Sequence, residues 1–331
     1  MATTPIIEQS SVIAVRDVVK VFRGGRRALD GVTLDVPAGT CFGFLGPNGA
    51  GKTTLIRIVL GLMRATSGAV VVRGHEVPAE ARAALARVGG IVEEPRFYPY
   101  LSGRENLALW ARLMGSAALG RVPASLERVA LGDRADERVG RYSMGMRQRL
   151  GVARALLSDP EVLVLDEPSN GLDPEGIAEF RTLIRSFVEE GRTVFISSHL
   201  LDEIQKICDH VAIVREGRVI AQGPVAEVVA AGGGGVRVGC DDPGRAAQLL
   251  QGPAGLGAIE LDGPGLVVGG PADPASRAAV VRMLVEAGIA VDSVQPVGAT
   301  LEERFLELMG GDASTPPPPA HPPPPPPGVG R

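Results

Sequence analysis

Lysine is scarce in this 331-residue chain: Lys20, Lys52 and Lys206 are the only three among 34 cationic side chains, and the rest are arginine. Lys52 sits inside a glycine-rich loop, so lysine is kept there against a strong bias. Cysteine is scarce as well. Cys41, Cys208 and Cys240 are three in number and far apart. Such spacing offers neither a metal-ligand pattern nor a disulfide framework, and it fits a reducing cytosol. Positive charge is not in excess: the net charge is -4, which gives no bulk attraction to nucleic acid or anionic lipid. No apolar run approaches the ~18 residues of a bilayer-crossing helix. The opening MATTPIIEQSS lacks a basic segment followed by an apolar one, so no signal peptide is expected. A role in membrane transport would therefore need another chain to supply the path. Hydrophobic residues do make up 45% of the chain, enough for a packed core in one large domain or two ordinary ones.

Along the chain, IAVRDVVKVF, LDGVTLDV and TCFGFLG read as strands broken by glycine and proline. KTTLIRIVLGLM reads as a helix, GAVVVRG as a strand and ARAALARV (81–88) as a helix, and 101–158 is mostly helical in pattern. EVLVLDE and RTVFISSH are continuous apolar runs, as buried parallel strands are. PEGIAEFRTLIRSFVEEG has proline at the first turn and glycine at the end of a helix. LLDEIQKICDH reads as a helix and VAIVREGRVIAQG as a hairpin. Alternating strands and helices predict an α/β sheet domain over 12–230, with a helical subdomain at about 94–158. A tail at 1–11 precedes it. A glycine-rich linker at 231–235, a small α/β accessory domain at 236–310 and a proline-rich tail at 311–331 follow. The tail has no side chains with which to build a core and is expected to be solvated, although it could also bind a partner domain.

The chemistry starts at Gly46. Gly46, Pro47, Asn48, Gly49, Ala50, Gly51, Lys52 and Thr53 form GxxxxGKT, followed by Thr54, between an apolar strand and a helix. Glycine lets backbone N–H groups turn inward around phosphates, and the helix N-terminus points its positive end at the same charge. Lys52 is expected on the β/γ-phosphates and the Thr53 hydroxyl on Mg²⁺. Asp166 ends an apolar strand, where a carboxylate can hold Mg²⁺, and Glu167 follows it, placed to orient or deprotonate a water. In YSMGMRQRLGVARAL, a Ser-x-Gly turn opens a helix whose N-terminus is a second anion site.

The order GPNGAGKTT, YSMGMRQR, VLVLDEPSNGLDP, SSH resembles the nucleotide-binding subunit of ABC transporters over roughly residues 12–230. The resemblance implies a P-loop core with a RecA-like mixed sheet, an antiparallel β subdomain and a helical signature subdomain. It implies that ATP is hydrolysed with Mg²⁺. Ser143 and Gly145 would meet the γ-phosphate of an ATP held by a second copy. Asp173 would lie across the same interface, His199 would contact the γ-phosphate in its own chain, and Phe22 would stack on adenine unless it is a core residue. The partners implied are a second copy, head to tail, and a separate membrane permease at the cytoplasmic face of the membrane. No nucleic-acid partner is implied. The accessory domain ending in TLEERFLELM and the stretch EEPRFYPYLSGREN resemble bacterial drug and peptide exporters of the bacitracin and lantibiotic self-protection type.

Two departures stand out. The signature commonly reads LSGGQ, whereas this chain has Tyr142, Ser143, Met144, Gly145 and Met146. Glu93 stands where the family usually has a glutamine that meets Mg²⁺ or the lytic water, and a carboxylate there would add negative charge beside the γ-phosphate. Phe97, Tyr98 and Tyr100 follow, and either contact with the membrane partner or packing under a loop accounts for them. A soluble ATPase acting in translation or on DNA is the alternative. One ATPase domain, no heptads and no basic patch speak against it.

Overall fold

The computed structural model describes residues 11–231, 235–251, 259–263, 265–269, 274–297 and 300–310. The proline-rich tail at 311–331, most of the glycine-rich linker and all but Ser11 of the N-terminal tail lie outside the described residues. In chain order the elements are β1 (Ser11–Val21), β2 (Arg27–Pro37), β3 (Cys41–Leu45), α1 (Lys52–Val59), β4 (Ser67–Val72), β5 (His75–Val77), α2 (Ala81–Ala84), β6 (Val88–Ile91), α3 (Gly103–Met114), α4 (Ser116–Gly120), α5 (Val122–Arg128), α6 (Met144–Leu156), β7 (Val162–Asp166) and α7 (Pro174–Glu189). They continue with β8 (Thr193–Ser198), α8 (Leu201–Ile207), β9 (His210–Arg215), β10 (Arg218–Pro224), α9 (Val225–Ala230), β11 (Gly235–Cys240), α10 (Pro243–Leu250), β12 (Ile259–Asp262), β13 (Gly265–Gly269), α11 (Pro274–Glu286), β14 (Val291–Val297) and α12 (Leu301–Gly310).

Six strands form the central sheet in the order β10-β9-β3-β8-β7-β6. The five from β9 to β6 are parallel, and β10 closes one edge as the antiparallel arm of a hairpin. Strands β3, β7 and β8 are buried along their whole length, which is why they read as unbroken apolar runs. A second, antiparallel sheet, β2-β1-β4-β5, buries alternate residues such as Val32, Leu34 and Val36. One core lies between the two sheets and includes Phe42, Phe44, Ile56 and Phe195, with the Phe42 and Phe195 rings stacked 5.7 Å apart. The other face of the central sheet packs on α6 and α7, and the same core extends to α3 and α5.

Two helices are shorter than their apolar patterns predict. The run from Lys52 stops at Val59, and Gly61 has φ 67°, which no helix continues through. ARAALARV yields only α2, because Val88 pairs with Val162 in the central sheet. Here tertiary pairing overrides local periodicity.

Beyond residue 234, β11, α10, β12, β13, α11 and β14 form an antiparallel sheet in the order β12-β13-β11-β14, a ferredoxin-like βαββαβ unit with its own core around Val238, Leu266 and Leu284. Residues 301–310, expected to close that unit, pack elsewhere. Leu301, Phe305 and Leu308 of α12 join the core on the α6 and α7 face of the central sheet, against α8 and α9. The Leu301 N–H donates to Gln205 Oε1 at 2.8 Å, and Arg215 donates to the carbonyls of Leu308 and Met309. A pattern of short apolar repeats specifies that α12 buries a face, not which surface receives it.

Candidate active site

The loop from Gly46 leaves the carboxyl end of β3 and enters α1 through Gly51, whose φ of 108° needs glycine. A Cβ at Gly51 would stand 2.5 Å from Ala28 O, and one at Gly46 would fall on Val214 O. The turn between β9 and β10 braces the loop from behind. The Gly217 N–H donates to Ala50 O at 3.1 Å, and the Asp30 N–H donates to Gly217 O at 2.8 Å. A cavity of ≈420 Å³ opens above the loop, and Gly49, Lys52, Thr53, Thr54 and Glu167 are among its walls.

Lys52 is a buried cation, 6% exposed. Its Nζ donates to Gly46 O at 2.6 Å and lies 3.1 Å from Glu167 Oε1. The other oxygen of Glu167 is 2.8 Å from His199 Nδ1. A carboxylate can only accept, so Nδ1 carries the hydrogen of that bond. Glu167 has φ 47°, uncommon for any residue but glycine, and its N–H is held by both the hydroxyl and the carbonyl of Ser197 at 3.0 and 3.2 Å. The same Ser197 hydroxyl donates to Asp166 Oδ1 at 2.6 Å. Ser197 therefore ties the two adjacent acids to β8, which pairs with β7 at Asp166–Ser197. Asp166 is 3% exposed.

The donor set suits a hard divalent cation: Asp166 offers carboxylate oxygen and Thr53 a hydroxyl. Among the described residues no three His, Cys, Asp or Glu side chains gather to cage a metal. A cation here would take the rest of its shell from phosphate oxygens and water, as Mg²⁺ does.

The remaining sequence-derived candidates stand apart from this cluster. Ser143 is the exposed N-cap of α6, its hydroxyl accepting from the Met146 N–H at 3.2 Å. Asp173 caps α7 in the same way, accepting from the Gly176 N–H at 2.9 Å. The two helix starts touch, since a Cβ on Gly145 would stand 3.4 Å from Leu172, yet neither cap lines the cavity. The unusual signature is built into the core: Tyr142 is 3% exposed, its hydroxyl donates to Arg134 O at 2.6 Å, and Met146 packs against buried apolar residues. Burial pushes the Tyr142 hydroxyl pKa up. Glu93 has φ 60°, is 64% exposed and accepts from Arg57 at 2.6 Å, away from the cavity walls. Phe22 is half-buried and also off those walls. Phe97 packs against the core, whereas Tyr98 and Tyr100 are exposed.

Sequence reasoning left three contributors out of the site. Ser197 was visible only as the first residue of SSH. Asn170 and Glu216 line the cavity from the turns after β7 and β9; Asn170 lies inside the VLVLDEPSNGLDP motif without having been singled out, and nothing in the sequence around Glu216 marks it.

A family described as "ABC transporter" matches residues 29–170. The bacitracin transport ATP-binding protein BcrA of Bacillus licheniformis is 38% identical over 303 residues, covering 91% of this chain and 98% of that one. The daunorubicin resistance ATP-binding protein DrrA3 of Streptomyces coeruleorubidus is 41% identical over 298 residues, covering 87% and 93%. Among solved structures, CbiO1 of Clostridium perfringens, part of an ABC transporter complex, aligns with a TM-score of 0.61 at 28% identity over 66% of this chain and 90% of that one. The ADP conformation of MJ1267, an ATP-binding cassette of an ABC transporter, aligns with a TM-score of 0.60 at 26% identity over 65% and 91%. With the phosphate loop and Glu167 at one cavity, and with His199 and, through Ser197, Asp166 tied to Glu167, the chain belongs to the ABC transporter family as an ATP-binding subunit, and it binds and hydrolyses ATP.

Proposed function

We propose that this subunit powers export of a drug, an antibiotic peptide or a similar amphiphile through a separate membrane subunit, by ATP-driven closure of a head-to-tail dimer. The carrying observation is the division of the site. Lys52, Glu167 and His199 converge within one chain, while Ser143, Gly145 and Asp173 sit outside the cavity on exposed helix starts. A helix N-terminus with free N–H groups is a site for anions. A second copy turned head to tail supplies it to the γ-phosphate of the first. The relatives named for bacitracin transport and daunorubicin resistance support the cargo class.

In this reading the loop amides and Lys52 hold the β- and γ-phosphates, and adenine lies toward the turn at Phe22. Asp166 and Thr53 hold Mg²⁺, which neutralises charge on the phosphate oxygens when bound. Glu93 joins that set only by giving up Arg57. Glu167 accepts a proton from the attacking water, and His199 fixes its carboxylate and faces the γ-phosphate. Loss of that phosphate removes the bridge between copies and lets the dimer open.

Position at the cytoplasmic face of the membrane fits two further features. No helix among the described residues is long and apolar enough to cross a membrane. On α3, Leu109, Trp110, Leu113 and Met114 expose an apolar face near Tyr98 and Tyr100, as a docking surface for the membrane subunit does. The test is Glu167→Gln with ATP and Mg²⁺, read by light scattering. A stable dimer is expected. A monomer at saturating ATP overturns the head-to-tail mechanism, and co-purification of the membrane protein identifies the partner.

A further inference from the structure

The helix that follows the accessory unit touches two elements that flank the ATP site. α12 comes after β14, yet its Leu301 is fully buried beside α8 and α9, and Phe305, Leu308 and Met309 pack on the same core. Its start is fixed by a capping box. The Thr300 N–H donates to Glu303 at 2.8 Å, and the Glu303 N–H donates to the Thr300 hydroxyl at 3.1 Å. The next N–H, of Leu301, donates to Gln205 of α8, a helix that begins two residues after His199. Its end is held by Arg215, the last residue of β9, which donates to the carbonyls of Leu308 and Met309. A cation there suits the negative end of a helix.

The residues after Arg215 reach the site. Glu216 lines the ATP cavity, and the Gly217 N–H holds the phosphate loop through Ala50 O. Met309 lines a second cavity, of ≈380 Å³, together with Pro47, Asn48, Gly49 and Ala50. The end of α12 therefore stands beside the outer side of the loop. Pro47, Asn48 and Gly49 are exposed there, and Gly49 and Gly51 have φ of 84° and 108°. A glycine-rich loop loses conformational freedom when it closes on phosphate, and contacts that hold it beforehand lower that cost. The turn between β9 and β10 supplies such contacts, and α12 is bound to the start of that turn through Arg215.

We infer that α12 is a strap. Docked, it holds the phosphate loop ready for nucleotide, so the accessory unit that carries it sets the loop's affinity. Linkage makes the effect reciprocal, and bound nucleotide holds α12 in place. The inference rests on the phosphate loop as the nucleotide site, and not on dimer closure or export.

The test uses the full chain and ADP, which lacks the γ-phosphate that bridges copies in the proposed dimer, so a failure of dimer closure does not enter the result. Phe305→Asp puts a charge in the docked face of α12. It is expected to weaken ADP about fivefold or more by calorimetry, and to speed amide hydrogen exchange over residues 304–310. Leu306→Asp puts the same charge on the outer face of the helix, where Leu306 is 62% exposed. ADP binding should then stay within about twofold of wild type. Phe305→Ala is expected to move both readouts in the same direction as Phe305→Asp, and it replaces that variant if the aspartate prevents folding. In the wild-type chain, saturating ADP is expected to slow exchange of the α12 amides. Faster exchange in α12 with ADP affinity within about twofold of wild type overturns the inference. So does wild-type exchange in α12 that ADP leaves unchanged. Equal weakening by Phe305→Asp and Leu306→Asp overturns it too, because the effect is then one of charge and not of docking.

Discussion

The two groups of residues that the proposed mechanism brings together are held in different ways. The half around Lys52 is tied by contacts that span the chain. Lys52 meets Glu167, Glu167 meets His199 and Ser197, and Ser197 meets Asp166. The half at Ser143 and Asp173 is held by contacts three residues long, each side chain capping its own helix. The first half is mutually satisfied within one chain, whereas the second is exposed and satisfied only locally. In the proposed mechanism, residues that would serve their own chain's ATP are built into the sheet, and residues that would serve another chain's ATP are presented on its surface.

That contrast can be tested at graded cost. Glu167→Gln removes the carboxylate that takes the proton, so turnover should fall about 10²–10⁴-fold in a phosphate-release assay while the melting temperature changes little. A variant within a few-fold of wild type would remove Glu167 from the base role. Gly46→Ala should be next. Its methyl collides with Val214 O, so ATP affinity should fall and stability drop by about 1–3 kcal/mol in denaturant titration. Unchanged affinity would show that the loop can shift away from β9 without loss.

Ser197→Ala should lower turnover and cost about 1–3 kcal/mol, because it leaves buried Asp166 short of a donor. Ser143→Ala should cost less stability, about 1 kcal/mol for a lost cap, yet abolish ATP-dependent dimerisation in scattering measurements. A Ser143→Ala chain that still dimerised would erase the proposed division between the halves. Glu93→Gln should have the smallest effect on stability, at most ~1 kcal/mol, since its pair with Arg57 is exposed. Its value lies in the Mg²⁺ dependence of turnover, which should shift if Glu93 leaves Arg57 for the site.

Much of this was legible beforehand, for reasons the two halves make plain. GPNGAGKTT announces a loop by its glycines, and its strand and helix neighbours are read from local periodicity. Ser143 and Asp173 announce helix starts by cap chemistry, which is a property of four consecutive residues. Long-range ties are less legible. Ser197 and Asp166 meet because β7 and β8 lie side by side, and Cys41 meets Cys208 at 3.4 Å although their spacing suggested no relation. Glu93 illustrates the limit: its position in the motif was readable, but its engagement with Arg57 across 36 residues was not.

The sequence by itself therefore determined the chemistry of the phosphate loop, the acids at the end of β7 and the caps of α6 and α7. Each depends on backbone conformations set by a few adjacent residues. Only the tertiary structure decided that Ser197 joins the acids and that α12 leaves its own unit to pack on α8. Those outcomes depend on which buried faces meet. Apolar burial is non-directional, so a pattern of apolar residues states that a face must be covered without naming the surface that covers it.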